Sequence, residues 1–174
     1  MISTLLSEDE VFDQFSEIIE SKGVRAALIY LLHQTDFRYI GIFRFENDTV
    51  ISVVHYDREN PAVMATDDKP LLTTYCCYVK DTKGVFTTAN ALLDARLDGH
   101  PQLQQVQAYC GIPILDSEGL LIGTLCYYDT APRDMLNSEL SFKFRIASAL
   151  AYGNHVPPHP RGSVQSMNSS VPPC

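Results

Sequence analysis

The chain is predicted to fold as one α/β domain of the α+β kind, a mainly antiparallel sheet of five or six strands with helices at both chain ends. Three observations predict it. Helical spacing of apolar residues runs through residues 7–34 and returns near the C-terminus. Between them the period changes to two. Two apolar strands at residues 107–128 are joined by a tight turn.

The elements follow in order. Ser7 and Glu10 form a capping-box signature ahead of a helix over residues 7–22, whose apolar side carries Val11, Phe12, Phe15, Ile18 and Ile19. Gly23 is its stop. A second helix over 24–34 buries Ala27, Leu28, Leu31 and Leu32. Tyr39, Gly41, Phe43 and Phe45 then alternate with Ile40, Ile42 and Arg44, Asn47-Asp48 turns the chain, and 50–56 returns. Residues 57–68 are polar and irregular, and the β-rich composition of 70–80 taken alone suggests a strand. A short strand at 85–88 precedes a helix or broken helix over 91–105, with Asp94, Arg96 and Asp98 near a turn.

The strands at 107–115 and 120–128 flank the turn Asp116-Ser-Glu-Gly119, where Gly119 suits a positive φ. The second of them is almost uniformly apolar and so is expected at the sheet centre, covered on both faces. Gly123 inside it marks a bulge or a close approach by another backbone. A closing helix at 138–153 offers Phe142, Phe144, Ile146, Ala147 and Leu150. The domain is placed at 1–155. The Pro- and Ser-rich stretch 156–174 is expected to be a flexible tail, because it has too little apolar surface to offset its ordering entropy.

Composition excludes several classes. A net charge of -8 without a basic cluster argues against nucleic acid and anionic membrane as partners. The longest apolar run, 26–32, is too short to span a bilayer, and no secretory signal is visible, so a cytoplasmic location is expected. With five cysteines, an odd number, reduced thiols are expected. The chain has no Gly-x-x-x-x-Gly-Lys-Ser/Thr loop, no Gly-x-Gly-x-x-Gly fingerprint and no Gly-x-Ser-x-Gly elbow.

The segment 109–133 runs aromatic-Cys-Gly-x-Pro, then Gly119, then Gly123-Thr-Leu-Cys126, Asp129 and Pro132-Arg133. Together with Tyr75, Cys76, Cys77, Tyr78 and the step Asp94-Ala-Arg96, it resembles the closing half of a bacterial GAF sensor domain, over residues 71–152. The resemblance implies that both terminal helices pack on one sheet face. It places a short helix, entered at Thr73 or Thr74, and the Asp94 segment over the other face, enclosing a ligand pocket. By the same resemblance Tyr75, Cys76, Cys77, Tyr78, Asp94, Arg96, Tyr109 and Tyr127 are candidate ligand-binding residues.

Each candidate has a plainer reading. Asp94 and Arg96 serve either as a fork for a ligand carboxylate or phosphate, or as a turn cap and its ion pair. Asp129, Pro132 and Arg133 read as the exit from the last strand. The tyrosines are pocket walls or core residues with hydroxyls satisfied at the edge. Tyr127 and Tyr128 alternate across the sheet, so one of them faces the pocket. Cys110 and Cys126 read as small buried apolar residues. No metal is expected, because adjacent Cys76 and Cys77 point in different directions and no Cys-x-x-Cys pair occurs.

The function expected is non-catalytic sensing of a small ligand, passed to an unidentified output protein or through a homodimer formed by the terminal helices. A thiol-dependent redox alternative uses Cys76 or Cys77 with Cys110, as in the free methionine sulfoxide reductases of the family. The chain departs from their Gly-x-Cys-Gly step, having Tyr75-Cys-Cys-Tyr78 there. A second alternative is a structural dimerisation or docking module with a filled pocket. The Asn-Lys-Phe-Asp-Glu signature of cyclic-nucleotide members is missing, and without a Cys-His dipeptide no covalent bilin is expected. His33, His55 and His100 are scattered and are read as structural or solvent-facing rather than as haem ligands.

Overall fold

The computed structural model describes residues 5–135, 138–157 and 174. Helices α1 (Glu8–Lys22) and α2 (Val24–His33) open the chain and α4 (Leu140–Tyr152) closes it. Between them lie β1 (Tyr39–Glu46), β2 (Thr49–Asp57), β3 (Lys69–Pro70), the short helix α3 (Cys76–Thr82), β4 (Phe86–Thr88), β5 (Ala108–Leu115) and β6 (Leu121–Asp129). The six strands form one antiparallel sheet in the order β3-β2-β1-β6-β5-β4.

Local chemistry sets the element ends. The Ser7 hydroxyl accepts from Glu10 N–H at 3.2 Å, and the Glu10 carboxylate accepts from Ser7 N–H at 2.7 Å. Two of the four orphan donors of α1 are thereby satisfied. Gly119, at φ 78°, closes the β5–β6 turn, and Asp116 Oδ1 accepts from the N–H groups of Glu118 and Leu120 at 2.9 Å each. Residues 91–105 hold no long helix. They form 3₁₀ turns at Ala91–Leu93 and Ala95–Leu97 followed by further turns. The Asp94 side chain accepts from Arg96 N–H at 3.2 Å, a local bond that competes with helix.

β6 is central, as its uniform apolarity predicts. One face of the sheet, carrying Ile40, Ile42, Ala108, Cys110, Ile112, Ile114, Leu125 and Tyr127, packs on Phe15, Leu28, Leu31, Leu32, Ile146 and Leu150 of the helices. The other face carries Phe43, Val50, Tyr109 and Cys126 under Leu71, Tyr75, Cys76, Val79, Leu97 and Val106. Gly123 pairs with Arg44, and a Cβ there would lie 2.2 Å from the Phe43 carbonyl oxygen. The register of β1 on β2 shifts beside it, between Ile42 and Phe43. The glycine is thus required by a close backbone approach.

The expected reduced state of the cysteines is corrected at one pair. Cys77 is disulfide-bonded to Cys174, and Cys76, Cys110 and Cys126 are free and buried. The sequence could not foresee the pair, because the two residues are 97 positions apart and only the fold brings them together. Apart from Val156, Pro157 and Cys174, the stretch expected to be a tail lies outside the described residues. No helix among the described residues is long and apolar enough to cross a membrane.

Candidate functional site

A cavity of about 280 Å³ opens on the sheet face opposite the terminal helices. Alternation along the strands builds its walls. Tyr39 and Phe43 point into it from β1, Val50 and His55 from β2, Tyr109 from β5, and Cys126 and Tyr128 from β6. Thr74 and Val106 close it from above, Cys76 reaches from α3 down to Cys126 on the sheet, and Thr66, Asp67, Lys69, Gln102, Gln105 and Thr130 rim it.

One wall is aromatic. The rings of Tyr39 and Tyr128 stack with centroids 4.6 Å apart and an interplanar angle of 11°. His55, 2 % exposed, lies 5.9 Å from Tyr39 by ring centroid. Its Nδ1 is 3.4 Å from the Tyr128 hydroxyl. Burial lowers the His55 pKa, so the ring is neutral at physiological pH. Behind this wall the Arg38 guanidinium sits 4.6 Å from the Tyr39 centroid. It donates to both Asp57 carboxylate oxygens at 2.8 and 2.9 Å. The bidentate pair and the cation on the ring hold Tyr39 in place.

The floor holds two thiols and a phenol. Cys76 Sγ and Cys126 Sγ are 3.7 Å apart, and the Tyr109 hydroxyl lies 3.4 Å from the first and 3.1 Å from the second. Gly111 makes the arrangement possible, since a Cβ at that position would meet the Tyr109 hydroxyl at 2.4 Å. A hydrogen bond from Cys126 lowers the Cys76 pKa against the effect of burial, with Tyr109 and Thr74 assisting. Burial, reinforced by Cys76, pushes Cys126 well up against the hydrogen bonds of Thr124 and Tyr109, and burial reinforced by Cys126 and Cys76 pushes Tyr109 well up.

Of the residues singled out from sequence, Cys76 and Tyr109 line the cavity. Tyr75 is core behind it, donating its hydroxyl to Val106 O at 3.0 Å while its N–H donates to Gln102 Oε1 at 2.8 Å. Cys77 turns away into its disulfide. Tyr78 stacks on Phe86 with centroids 4.6 Å apart. Arg96 covers the same Phe86 ring at 4.7 Å and forks onto Asp94 at 2.9 and 2.6 Å, also donating to Thr87 O at 2.7 Å. That guanidinium holds the Asp94 carboxyl down to about 2. Asp94 and Arg96 thus form a turn and its ion pair outside the cavity lining. Tyr127 and Cys110 face the helices on the opposite side of the sheet, where burial pushes the Cys110 thiol up to about 11. Cys110 therefore cannot meet Cys76 across the sheet, which removes the geometric basis for a Cys76–Cys110 redox pair. Asp129 accepts from Ala131 N–H at 3.0 Å and pairs with Arg133 at 2.8 Å, as a strand exit should.

Residues that sequence reasoning passed over make up most of the lining. Tyr39 and Phe43 were within reach of strand parity, since they share a face with Cys126 and with Tyr128, the member of the Tyr127–Tyr128 pair that faces the cavity. Thr66, Asp67, Lys69, Gln102 and Gln105 carried no signal, because irregular segments have no period from which orientation can be read.

Among the curated proteins, the chain is 39% identical over 70 residues to the cyclic di-GMP phosphodiesterase PA2567 of Pseudomonas aeruginosa. The match covers 38% of this chain and 12% of that protein, so the chain spans a small part of its relative. Among solved structures, the GAF domain of an Acinetobacter phosphoenolpyruvate-protein phosphotransferase superposes with a TM-score of 0.66 at 13% identity, covering 86% of this chain and 93% of that one. The free methionine-R-sulfoxide reductase of Neisseria meningitidis, solved with its substrate, gives 0.64 at 13% identity over 87% and 95% of the two chains. A phycocyanobilin-bound GAF domain of a cyanobacterial phytochrome gives 0.63 at 14% identity over 87% and 96%. Identities this low show the shared fold alone. The sequence model of the GAF domain matches residues 9–152, which spans every helix and strand of the sheet and its cover, and the chain belongs to the GAF domain family.

Proposed function

We propose that this domain is a non-catalytic sensory module that binds a small planar molecule in the cavity over β1, β2, β5 and β6. The observation that carries the reading is the stacked Tyr39–Tyr128 wall beside a neutral, buried His55, at one side of a cavity of about 280 Å³. Aromatic faces favour flat rings. Thr66, Asp67, Lys69, Gln102, Gln105 and Thr130 at the rim offer donors and acceptors of both charge signs, which suits the polar edge of a heterocycle. Tyr109 and Cys76 contribute the floor. Gln102 links the cover to α3 through Tyr75 N–H, so a ligand touching Gln102 acts directly on the segment that roofs the site.

The response is a population shift toward the state in which the roof is ordered. The output runs to a partner or a second copy through the terminal helices, which are tied together by Arg145–Asp9 at 2.7 Å and by Glu139 N–H donating to Glu8 at 2.8 Å. The name of the relative PA2567 makes cyclic di-GMP turnover the first pathway in which to seek that partner.

Native mass spectrometry of freshly purified protein, before and after mild denaturation, tests the reading. A mass excess lost on denaturation, and absent from a folded Tyr128→Ala variant, is the expected result. A clean protein mass, with no rise in melting temperature across a panel of planar heterocycles, would overturn it in favour of a structural docking module.

A further inference from the structure

We propose that Cys76, Cys126 and Tyr109 form a binding site for a soft divalent metal ion of the zinc class, with its remaining coordination position facing the cavity. The geometry carries this. Two metal–sulfur bonds of about 2.3 Å meeting at a tetrahedral angle place their sulfurs about 3.8 Å apart. The Cys76 and Cys126 sulfurs are 3.7 Å apart. A metal–oxygen bond of about 2.1 Å at the same angle places the oxygen about 3.6 Å from each sulfur. The Tyr109 hydroxyl is 3.4 and 3.1 Å from them, so a small outward movement of the ring completes the third vertex.

The chemistry of the donors agrees. Thiolates select soft cations, and two of them neutralise a dication, which suits a floor where Cys76 is 5 % and Cys126 1 % exposed. The described side-chain hydrogen-bond partners of the two thiols are one another, Tyr109, Thr124 and Thr74, all of them neutral groups. Binding replaces two S–H bonds by two metal–sulfur bonds and releases two protons to solvent. The three side chains also have a supporting shell. Thr124 Oγ1 contacts Cys126 Sγ at 3.4 Å while donating to Ile112 O at 3.1 Å, and Gly111 leaves the space that the Tyr109 hydroxyl occupies. No group of three or more His, Cys, Asp and Glu converges among the described residues. The site departs from the usual donor sets in taking its third ligand from a tyrosine. From the sequence it is invisible, because its cysteines are 50 residues apart and on different elements.

The inference does not depend on the organic ligand proposed above, and the two fail separately. The test is a cobalt(II) titration of the full chain, reduced with a phosphine so that no added thiol competes. One equivalent should produce a near-ultraviolet thiolate-to-cobalt charge-transfer band and release two protons, and zinc(II) should abolish the band. Cys126→Ser should cut the band to about half or less and weaken binding at least about tenfold. Tyr109→Phe should retain the band with weaker binding. Cys110→Ser, on the opposite sheet face, and a C77S/C174S variant should bind as the parent does. Absence of the band in the parent chain overturns the site whatever the variants do, as does an undiminished band in Cys126→Ser or its loss in C77S/C174S.

Discussion

Single side chains in this domain act through very short distances. Gly123 has the Phe43 carbonyl oxygen 2.2 Å from where a Cβ would stand. Gly123→Ala must therefore separate β1 from β6 at the centre of the sheet, and a loss of about 1–3 kcal/mol is expected. Urea unfolding measures it, and an unchanged midpoint would show that the strands can part without cost. Asp57 gives the pH dependence. Arg38 holds its carboxyl well below the usual carboxylate range. A folded value below the unfolded one, about 3.9, means the contribution is complete above about pH 5 and is lost as pH falls through 4 and below. The carboxylate is 6 % exposed and its partner 24 %, so the pair is only partly screened. Asp57→Asn should cost about 2 kcal/mol at pH 7 and flatten the fall in stability between about pH 5 and pH 2. Equal pH slopes in the two proteins would contradict this. The Asp94–Arg96 pair has the same sign but a guanidinium 59 % exposed, and water reduces its share.

At the scale of elements, helix ends and strand parity determine what each segment contributes. The capping box of α1 satisfies two N–H groups at its opening turn, so Ser7→Ala should lower stability by about 1 kcal/mol. Hydrogen exchange should show the loss first in the opening turn of α1, and uniform protection across α1 in the variant would speak against it. In β6, period two sends Leu125 and Tyr127 to the helices and Cys126 and Tyr128 to the cavity. Tyr128→Ala removes half of the stacked wall and should abolish retention of a planar ligand, while Tyr127→Phe should leave it unaltered. Binding by isothermal calorimetry distinguishes the two. The helices and strands were legible because their apolar periods are long and regular. The segment 91–105 was less so, because the Asp94 bond to Arg96 N–H diverts a helical-looking pattern into tight turns.

For the whole molecule, the two sheet faces divide the work. Terminal helices cover one face and a short helix with turns covers the other. The second cover is thin, and the cavity lies beneath it. Leu5, Leu6 and Leu140 remain exposed beside the joined ends of α1 and α4. If this surface pairs copies of the chain, sedimentation should give a dimer that Leu6→Glu with Leu140→Glu dissociates. A monomer mass independent of concentration would refute the pairing.

Sequence alone determined the α+β class, the order of the terminal helices and the longer strands, the central place of β6, the need for glycine at 123 and the family, because all of these rest on local periodicity and on residues close along the chain. Only the tertiary structure decided which candidates meet. It brought Cys76 to Cys126, sent Cys110 and Tyr127 to the far face, bonded Cys77 to Cys174, and placed Tyr39, His55 and Tyr128 in one wall. Those outcomes depend on strand register and on the path of irregular segments, and register is set by pairing across the sheet rather than by any property of one strand.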